Sequence, residues 1–262
     1  MSILSRSWHG AEQVVAAVDP TLRLVRAKAS APPYALACVY RARNAQIVAD
    51  VVNVSEHAEP RLWALDGQPD SLEQWTMGSG TGTRFALANK LLKGRRDGWA
   101  VLMDDDVRFA SGDLDKLVAL TRDLDVDIAQ PAHTLGSVVA HYYTRRKPGH
   151  IARLTSFVEI GPVVVFSPRA LERVTPFPEE GMGWGVSIDW AETGLTMAII
   201  DGVTIRHVGP TTKSDYNREE EMARMQAQLD KRGLRSLNDL MVTEHRVLIG
   251  GRRSVRPAHV KD

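Results

Sequence analysis

Three consecutive aspartates, Asp104, Asp105 and Asp106, follow directly on the apolar run of residues 99–103. That run has the composition of a buried strand, so the carboxylates are expected at its carboxyl end. In an extended segment Asp104 and Asp106 point the same way, about 7 Å apart along the chain. Like charges so placed repel unless a cation lies between them, and carboxylate oxygens suit Mg²⁺ or Mn²⁺. A solvated acidic turn is the alternative, but the preceding strand favours a metal and diphosphate site.

His207 is the second candidate metal ligand, because it ends the strand candidate of residues 203–207. A neutral imidazole in that place can complete the shell of a metal held by Asp106. An isolated histidine is more often a surface or packing residue, and the aspartate cluster is what favours the ligand role. The predicted metal ligands are therefore Asp104, Asp106 and His207, with Mn²⁺ or Mg²⁺ as the cofactor.

A glycine-rich loop contains Gly183, Trp184 and Gly185, and Asp189 follows it. Glycines let the backbone approach a ligand closely, and an indole offers a platform for the face of a sugar. The loop is therefore interpreted as an acceptor-binding segment. Asp189 is placed to take a proton from an attacking hydroxyl, but a helix N-cap packed under a buried tryptophan explains it equally well.

Four further residues are candidates for binding a nucleotide. Arg41 and Arg43 follow the first buried strand candidate and can contact a nucleobase or a phosphate, unless they are simply solvated. Asp66 follows a later strand candidate and can accept a hydrogen bond from a base, although an Asp-Gly turn also explains it. Arg84 begins the helix that leads to the aspartate cluster, where it can face a diphosphate or the solvent. Asp104 and Asp105 complete the predicted donor site.

A second glycine-rich stretch, residues 78–84, resembles the Gly-x-Gly-Thr-Arg signature of sugar nucleotidyltransferases. That signature belongs directly after the first strand of its fold, whereas here no clear strand precedes it. We interpret the stretch as a flexible loop near the donor site. A nucleotidyltransferase, which would release pyrophosphate, stays open as an alternative function.

The elements that position these residues alternate between strand and helix from Tyr34 onward, which predicts an α/β fold with a mostly parallel central sheet. In such sheets ligands collect at the carboxyl ends of the strands. Residues 196–200 and 203–207 are predicted as two strands joined by an Asp-Gly turn. The other predicted strands are 34–40, 61–65, 99–103, 127–130 and 158–166, and residues 46–54 are helix or strand. Helices are predicted around 85–92 and 114–121, from Pro168 onward, and over 217–232. The last of these helices has a predicted apolar stripe of Met222, Met225 and Leu229.

The length and composition bound the possible functions. The chain has 262 residues, enough for one large domain, with residues 1–33 as an N-terminal appendage that holds a short helix over 11–18 and a linker over 29–33. Residues 34–262 are predicted to form a single catalytic domain. The formal net charge is +1 and the basic residues are scattered, so nucleic acid is not expected as a partner.

Cysteine usage and hydropathy bear on the compartment. Cys38 is the only cysteine, which excludes an intrachain disulfide and fits a reducing, cytoplasmic setting. No apolar run approaches the ~20 residues that a membrane-spanning helix needs. Peripheral contact with a membrane stays open, because many sugar acceptors are lipids.

The order of these features resembles the GT-A glycosyltransferases, which have a Rossmann-like nucleotide-diphospho-sugar transferase fold. Within them it is most similar to the inverting β-1,4-galactosyltransferase-like group, in which a Gly-Trp-Gly loop and an Ile-Arg-His segment occur. Gly183-Trp184-Gly185 and Ile205-Arg206-His207 match those motifs, and residues 233–237 match a Gly-Leu-x-Ser-Leu stretch. The resemblance implies a nucleotide-sugar donor, by default a UDP-sugar, a hydroxyl acceptor, and a divalent metal.

The sequence departs from that group at two positions. Ile188 stands where the group has its catalytic acidic residue, and Thr204 stands where a metal-ligating Met is common. Asp189 is then the nearest carboxylate for the role of base. The first departure leaves a non-catalytic nucleotide-sugar-binding module as a further alternative.

Overall fold

The secondary structure is described in a computed structural model for residues 25–95, 97–137, 139–208, 217–240 and 246–248. Within these ranges the chain forms a ten-stranded sheet with helices packed against it. The strands are β1 Tyr34–Tyr40, β2 Ala58–Ala64, β3 Thr76–Ser79, β4 Trp99–Asp104, β5 Val107–Ser111, β6 Ile128–His133, β7 His150–Thr155, β8 Val163–Phe166, β9 Met197–His207 and β10 Arg246–Leu248. The α-helices are α1 Ala45–Val54, α2 Arg84–Leu91, α3 Leu114–Asp123, α4 Pro168–Val174, α5 Val186–Trp190 and α6 Arg218–Lys231. None of these helices is long and apolar enough to cross a membrane.

The strand order across the sheet is β10-β7-β9-β6-β8-β4-β1-β2-β3, and β5 pairs with the end of β9. The pairs β1–β2, β2–β3, β1–β4 and β6–β9 are parallel. Strand β8 is antiparallel to both β4 and β6, so those two point the same way. Seven of the ten described strands, all except β5, β7 and β8, therefore run in one direction. The predicted α/β class with a mostly parallel central sheet is confirmed.

The helices cover both faces of this sheet. Along β1 the side chains of Leu36, Cys38 and Tyr40 join one apolar cluster, and the intervening Ala35 and Ala37 join another. Alternate residues of a strand point to opposite faces, so the two clusters lie on opposite sides. Helices α1 and α3 contribute to the first cluster, and α2 and α4 contribute to the second. A third, smaller cluster packs α5 against α6.

Helix starts follow local capping chemistry. The Asp113 carboxylate accepts from the backbone N–H of Lys116 and begins α3, and the Ser167 hydroxyl accepts from the N–H of Ala170 and begins α4. The Asn217 side chain caps α6 in the same way. These predicted starts are confirmed, and the ambiguous stretch of residues 46–54 is the helix α1.

The prediction of two strands joined by an Asp-Gly turn near residue 201 is wrong, because residues 197–207 form the single strand β9. Asp201 is fully buried, and its carboxylate accepts from the Arg153 guanidinium at 2.7 Å instead of closing a turn. The register against β6 jumps from the pair Pro131–Ile200 to the pair Ala132–Thr204. The chain therefore absorbs the Asp-Gly pair as a bulge within a continuous strand.

Three further predicted strands have bounds that differ by three residues or more. The strand predicted over residues 61–65 begins three residues late, because β2 is Ala58–Ala64. The prediction for residues 127–130 is too short, since β6 extends to His133 through Pro131. Strand β8 pairs with β6 only at Ile128 and Ala129, so Pro131 has no ladder bond to break on that side. The prediction for residues 158–166 is too long, because only Val163–Phe166 is strand.

The interpretation of residues 78–84 as a loop with no preceding strand is wrong in part, because β3 covers Thr76–Ser79, whereas residues 80–83 lie outside the helices and strands. Gly78 lies within β3, where an added Cβ would stand 2.6 Å from the Trp63 ring. The Trp63 indole N–H also donates to the Gly80 carbonyl at 2.8 Å, and Thr83 caps α2. Packing against Trp63 accounts for Gly78, and no phosphate is needed to explain it.

The apolar stripe predicted for α6 is also wrong in part. Met222 is 47% exposed, whereas Glu221 is buried and Leu229 joins the third cluster. The buried face therefore follows Glu221, Met225 and Leu229 at helical spacing, since the Glu221 carboxylate accepts from the backbone N–H of Trp184 at 3.4 Å. A polar partner across the interface decided which side of the helix faces inward.

The predicted helix over residues 11–18 lies outside the described residues, so the N-terminal appendage stays a prediction. Within the described part of the predicted appendage, Val25 and the linker residue Ala31 are buried in the first apolar cluster. The Arg122 guanidinium donates to the Ala29 and Ser30 carbonyls. These contacts fasten residues 25–31 to α3.

Candidate active site

Three of the predicted site segments meet at one edge of the sheet. Strands β1 and β4 are parallel neighbours, with Val39 opposite Asp104, so Arg41 comes next to the aspartate cluster. The Arg41 backbone N–H donates to the Asp105 carboxylate at 2.7 Å. The carboxyl ends of parallel strands lie at the same edge, which is why residues far apart in sequence meet here.

Asp104, Asp106 and His207 form the one group of metal-ligating side chains found among the described residues. One potential ligand atom from each lies within 4.8 Å of the others, and the His207 Nε2 is 3.6 Å from the Asp106 Oδ1. The antiparallel pairing of β5 with β9 puts Val107 opposite His207, so Asp106 is held beside the imidazole. The predicted ligands are thus brought together by strand pairing.

The chemistry of this group fits a divalent cation. His207 Nε2 is buried and has no hydrogen-bond partner among the described residues. Burial raises the pKa of the Asp106 carboxyl, and Asp104 adds to this while His207 opposes it. Two carboxylates and an imidazole with an unused ring nitrogen suit Mn²⁺ or Mg²⁺ in donor type.

Arg84 and Gly161 fix the position of Asp104. The Arg84 Nη2 lies 2.9 Å from the Asp104 Oδ1, and the guanidinium is largely buried. A Cβ added to Gly161 would stand 2.7 Å from the Asp104 Oδ2, so only glycine leaves room for the carboxylate. The Asp104 N–H also donates to the Pro162 carbonyl at 2.8 Å. Arg84 therefore faces the aspartate cluster. Of its two sequence interpretations, one facing a diphosphate site and one facing the solvent, the first fits this position.

Asp105 turns away from its neighbours and is absent from the metal group. Its carboxylate binds the Arg41 N–H and the Asn44 side chain, and burial raises its pKa. Asp105 thus supports the loop that follows β1.

The loop after β1 is tied to the turn after β2. The Asp66 carboxylate accepts from the Ala42 N–H at 2.8 Å, and its other oxygen lies 3.6 Å from the Arg41 Nη1. Arg43 is exposed, and its positive charge lowers the pKa of Asp106. Arg41, Arg43 and Asp66 therefore form one rim beside the cluster.

The Gly-Trp-Gly loop is held between two helices. An added Cβ at Gly183 would stand 2.1 Å from the Phe85 ring of α2, and one at Gly185 would stand 3.0 Å from the Met225 Cα of α6. Both glycines have positive φ, +84° and +86°, which other residues rarely adopt. Trp184 between them is only partly buried. The loop therefore presents an indole next to the helix that carries Arg84.

Asp189 lies inside α5 and does not begin it, because Gly185 is the N-cap. The N-cap interpretation of Asp189 is therefore wrong. Its side chain is 44% exposed, and the Arg232 Nη2 lies 2.9 Å from its Oδ1. Ile188, at the position of the acidic residue in the resembled group, is fully buried.

One polar cluster at this edge escaped the sequence analysis. His133, at the end of β6, has its Nε2 3.2 Å from the Glu159 Oε2, and its ring lies 6.0 Å from that of His207. The Gln130 side-chain oxygen accepts from the Glu159 N–H at 2.6 Å. A polar residue at each of positions 130 and 133, at the end of a strand, was the available signal. The strand was predicted to end at Gln130, so His133 was not recognised as a residue at the strand end.

Comparison with solved structures identifies the fold. A structure of GalNAc-T7 with UDP, GalNAc and Mn²⁺ superposes with a TM-score of 0.51 at 8% identity, over 70% of this chain and 45% of that one. A structure of Staphylococcus aureus TarS with UDP-GlcNAc superposes with a TM-score of 0.52 at 11% identity, over 75% of this chain and 66% of that one. The chain thus spans less than two thirds of each, and it has the GT-A fold that both share. No protein-family model and no curated protein sequence matches it.

Proposed function

We propose that this protein is a divalent-metal-dependent glycosyltransferase that uses a nucleotide-diphosphate sugar as donor. The observation that carries the proposal is the group of Asp104, Asp106 and His207 at the carboxyl edge of a GT-A sheet, with Arg84 beside it. The fold likeness to GalNAc-T7 and TarS supports it, since those structures contain UDP or a UDP-sugar. A UDP-sugar donor and a hydroxyl acceptor are the substrates proposed for this chain.

On the donor side, Asp104, Asp106 and His207 would hold Mn²⁺ or Mg²⁺, which supplies positive charge to a leaving diphosphate. Arg84 is poised to stabilise the same negative charge, because its guanidinium already contacts Asp104 at the edge of the group. Arg41, Arg43 and Asp66 form the rim that would contact the nucleotide, with Asp105 holding Arg41 in place. This half of the site binds and orients the donor.

On the acceptor side, the partly exposed Trp184 offers a face on which a sugar can stack, and the flanking Gly183 and Gly185 fix its approach. Inversion requires a carboxylate that takes the proton of the attacking hydroxyl. Asp189 is the group that the sequence pattern proposes for that step. A cytoplasmic location and a saccharide or lipid-linked acceptor belong to the same proposal.

The test is calorimetric titration of UDP into the protein with Mn²⁺ and again with EDTA. We expect binding that weakens at least tenfold in EDTA, because the two carboxylates repel a diphosphate when no cation lies between them. Equal affinity in the two buffers would contradict the metal site. Hydrolysis of UDP-glucose, UDP-galactose, UDP-GlcNAc and UDP-GalNAc with Mn²⁺ then separates an enzyme, which releases UDP, from a binding module, which does not.

A further inference from the structure

We infer that Glu159 is a catalytic carboxylate of this site, and that Glu159 rather than Asp189 takes the proton from the attacking hydroxyl. The inference rests on the proposed function and adds a residue that the sequence pattern did not identify.

The first argument is position. Glu159 is the one charged residue in the segment 156–162, which leads into β8. Two residues later Gly161 contacts the Asp104 carboxylate, and one residue earlier the Val158 carbonyl accepts from the Ser187 hydroxyl at 2.6 Å. Ser187 belongs to α5, directly after the Gly-Trp-Gly loop. The segment therefore bridges the metal group and the acceptor loop, and Glu159 lies on that bridge.

The second argument is how Glu159 is held. Its backbone N–H is fixed by Gln130 and its Oε2 by His133, and both partners are essentially fully buried. The other carboxylate oxygen, Oε1, is buried with no hydrogen-bond partner among the described residues. A buried carboxylate oxygen without a donor is unfavourable. An acceptor hydroxyl that reaches Oε1 would supply the missing donor.

The third argument is the polarity of the surroundings. The Gln130 Nε2 and the Tyr143 hydroxyl are also buried without partners in the described part of the chain. The Tyr143 ring lies 6.3 Å from that of Phe157, two residues before Glu159, and both burial and the charge of Glu159 raise the pKa of Tyr143. A carboxylate that accepts, with an amide and a phenol that donate, matches the mixed hydrogen bonding of a sugar hydroxyl.

The fourth argument is the state of the competing carboxylate. Asp189 is nearly half exposed and paired with Arg232, which also lies 2.6 Å from the Glu192 Oε1. Protonation of Asp189 discharges that ion pair, whereas the Glu159 Oε1 has no donor among the described residues. The balanced step is simple: the acceptor oxygen bonds to the anomeric carbon, the bond from that carbon to the phosphate oxygen breaks with its electron pair, and the proton passes to Glu159.

The experiment measures Mn²⁺-dependent hydrolysis of the UDP-sugar that the full-length protein turns over fastest, with and without sodium azide. Azide is an anionic nucleophile that brings no proton, so its attack needs no base. We expect Glu159→Gln to lower hydrolysis by about a hundredfold or more, the scale of general base catalysis. The azide reaction and UDP affinity in Mn²⁺ should stay within a few fold of the parent. Asp189→Asn should lose less hydrolysis than Glu159→Gln.

The matched control is Glu172→Gln, the same chemical change at an exposed residue of α4. Helix α4 follows β8, which is antiparallel to β4, so α4 begins at the edge of the sheet opposite the candidate site. If Glu159→Gln does not fold, Glu159→Asp replaces it, because a carboxylate displaced by ~1 Å can lose about a hundredfold in rate. Near-parental hydrolysis by the Glu159 variant overturns the inference. Equal losses of hydrolysis, azide reaction and UDP affinity also overturn it, since they indicate a structural role. A parent that releases no UDP from any donor overturns the proposed function itself.

Discussion

Two groups of charged side chains lie along β9, and they differ in how far the protein satisfies them. In the first, Arg153 and Asp201 are both fully buried, and the guanidinium makes two hydrogen bonds to the carboxylate, at 2.7 and 2.9 Å. The remaining donors of Arg153 reach the carbonyls of Tyr143 and Arg145. Asp201 also accepts from the Lys147 N–H. Each charge in this group is met inside the chain.

The second group, Asp104, Asp106 and His207, is left incomplete. Its side chains are partly exposed, its two carboxylates repel each other, and the His207 Nε2 has no hydrogen-bond partner within the described ranges. Arg84 offsets part of the charge of Asp104, but the raised pKa of Asp106 indicates that burial costs its carboxylate more than its neighbours return. The difference indicates that the first group holds the structure together, while the second is kept for a ligand. Four predictions test that division.

The largest effect is expected at Arg153. Arg153→Met leaves Asp201 as a buried carboxylate without its cation, which typically costs about 3–5 kcal/mol of unfolding free energy. Urea denaturation followed by circular dichroism measures the loss. Arg108→Met is the control, because Arg108 forms an exposed pair with Asp50 that is worth at most about 1 kcal/mol. Equal losses of unfolding free energy in the two variants would show that the buried pair of Arg153 and Asp201 does not hold the structure together.

The next effect is expected at Asp106, and it should appear in metal binding but not in folding. Asp106→Asn removes a ligand, so we expect Mn²⁺ affinity to fall by about a hundredfold, measured by calorimetry. Asp50→Asn, on the exposed surface, should leave it unchanged. Because the pKa of Asp106 is higher in the folded than in the unfolded chain, the ionised carboxylate destabilises the fold. This cost is absent below the pKa of the unfolded state, and it is present in full once the pH has risen through the pKa of the folded state. At neutral pH in EDTA, Asp106→Asn should therefore melt no lower than the parent.

The pH dependence of the parent follows from the same group. A proton on Asp106 competes with the metal, so Mn²⁺ affinity should fall as the pH is lowered through the raised pKa of Asp106. The fall should begin above the ordinary aspartate range of about 4. Affinity that stays constant down to that range would mean that Asp106 is not a ligand.

The smallest effect is expected at His207. His207→Ala removes one neutral ligand while both carboxylates stay, so we expect Mn²⁺ affinity to fall by about tenfold, less than in Asp106→Asn. His57→Ala is the control, since His57 pairs with Asp115 beside Tyr34, at the start of β1 and hence at the opposite edge of the sheet. Unchanged Mn²⁺ affinity in His207→Ala would assign His207 to packing.

Much of the proposed donor half of the candidate site could be predicted from sequence, because it depends on neighbours along the chain. An apolar run that ends in aspartates defines a strand end, and parallel strands bring such ends to one edge. Arg41 follows β1 and reached the cluster by that rule, whereas Arg84 reached it from the start of α2. Which aspartate each of them contacts could not be predicted. The contact of Asp105 with the Arg41 N–H, for example, depends on the conformation of the loop after β1.

The proposed acceptor half was harder to predict, because it depends on contacts between distant segments. Glu159 lies in a stretch predicted as strand, and only the packing of its loop on β6 and α5 places it beside His133. The buried face of α6 was misassigned because the Glu221 contact with Trp184 crosses between elements.

The sequence by itself determined the α/β alternation, the starts of α3, α4 and α6, and the presence of an acidic strand end, since these follow from local periodicity and side-chain to backbone hydrogen bonds. Only the tertiary structure decided that β9 is one strand, because the burial of Asp201 depends on Arg153, 48 residues away. The same is true of the metal group, since the pairing of β5 with β9 puts Asp106 beside His207. Charges buried or juxtaposed across the sheet are set by which strands pair, and strand pairing is a property of the whole fold.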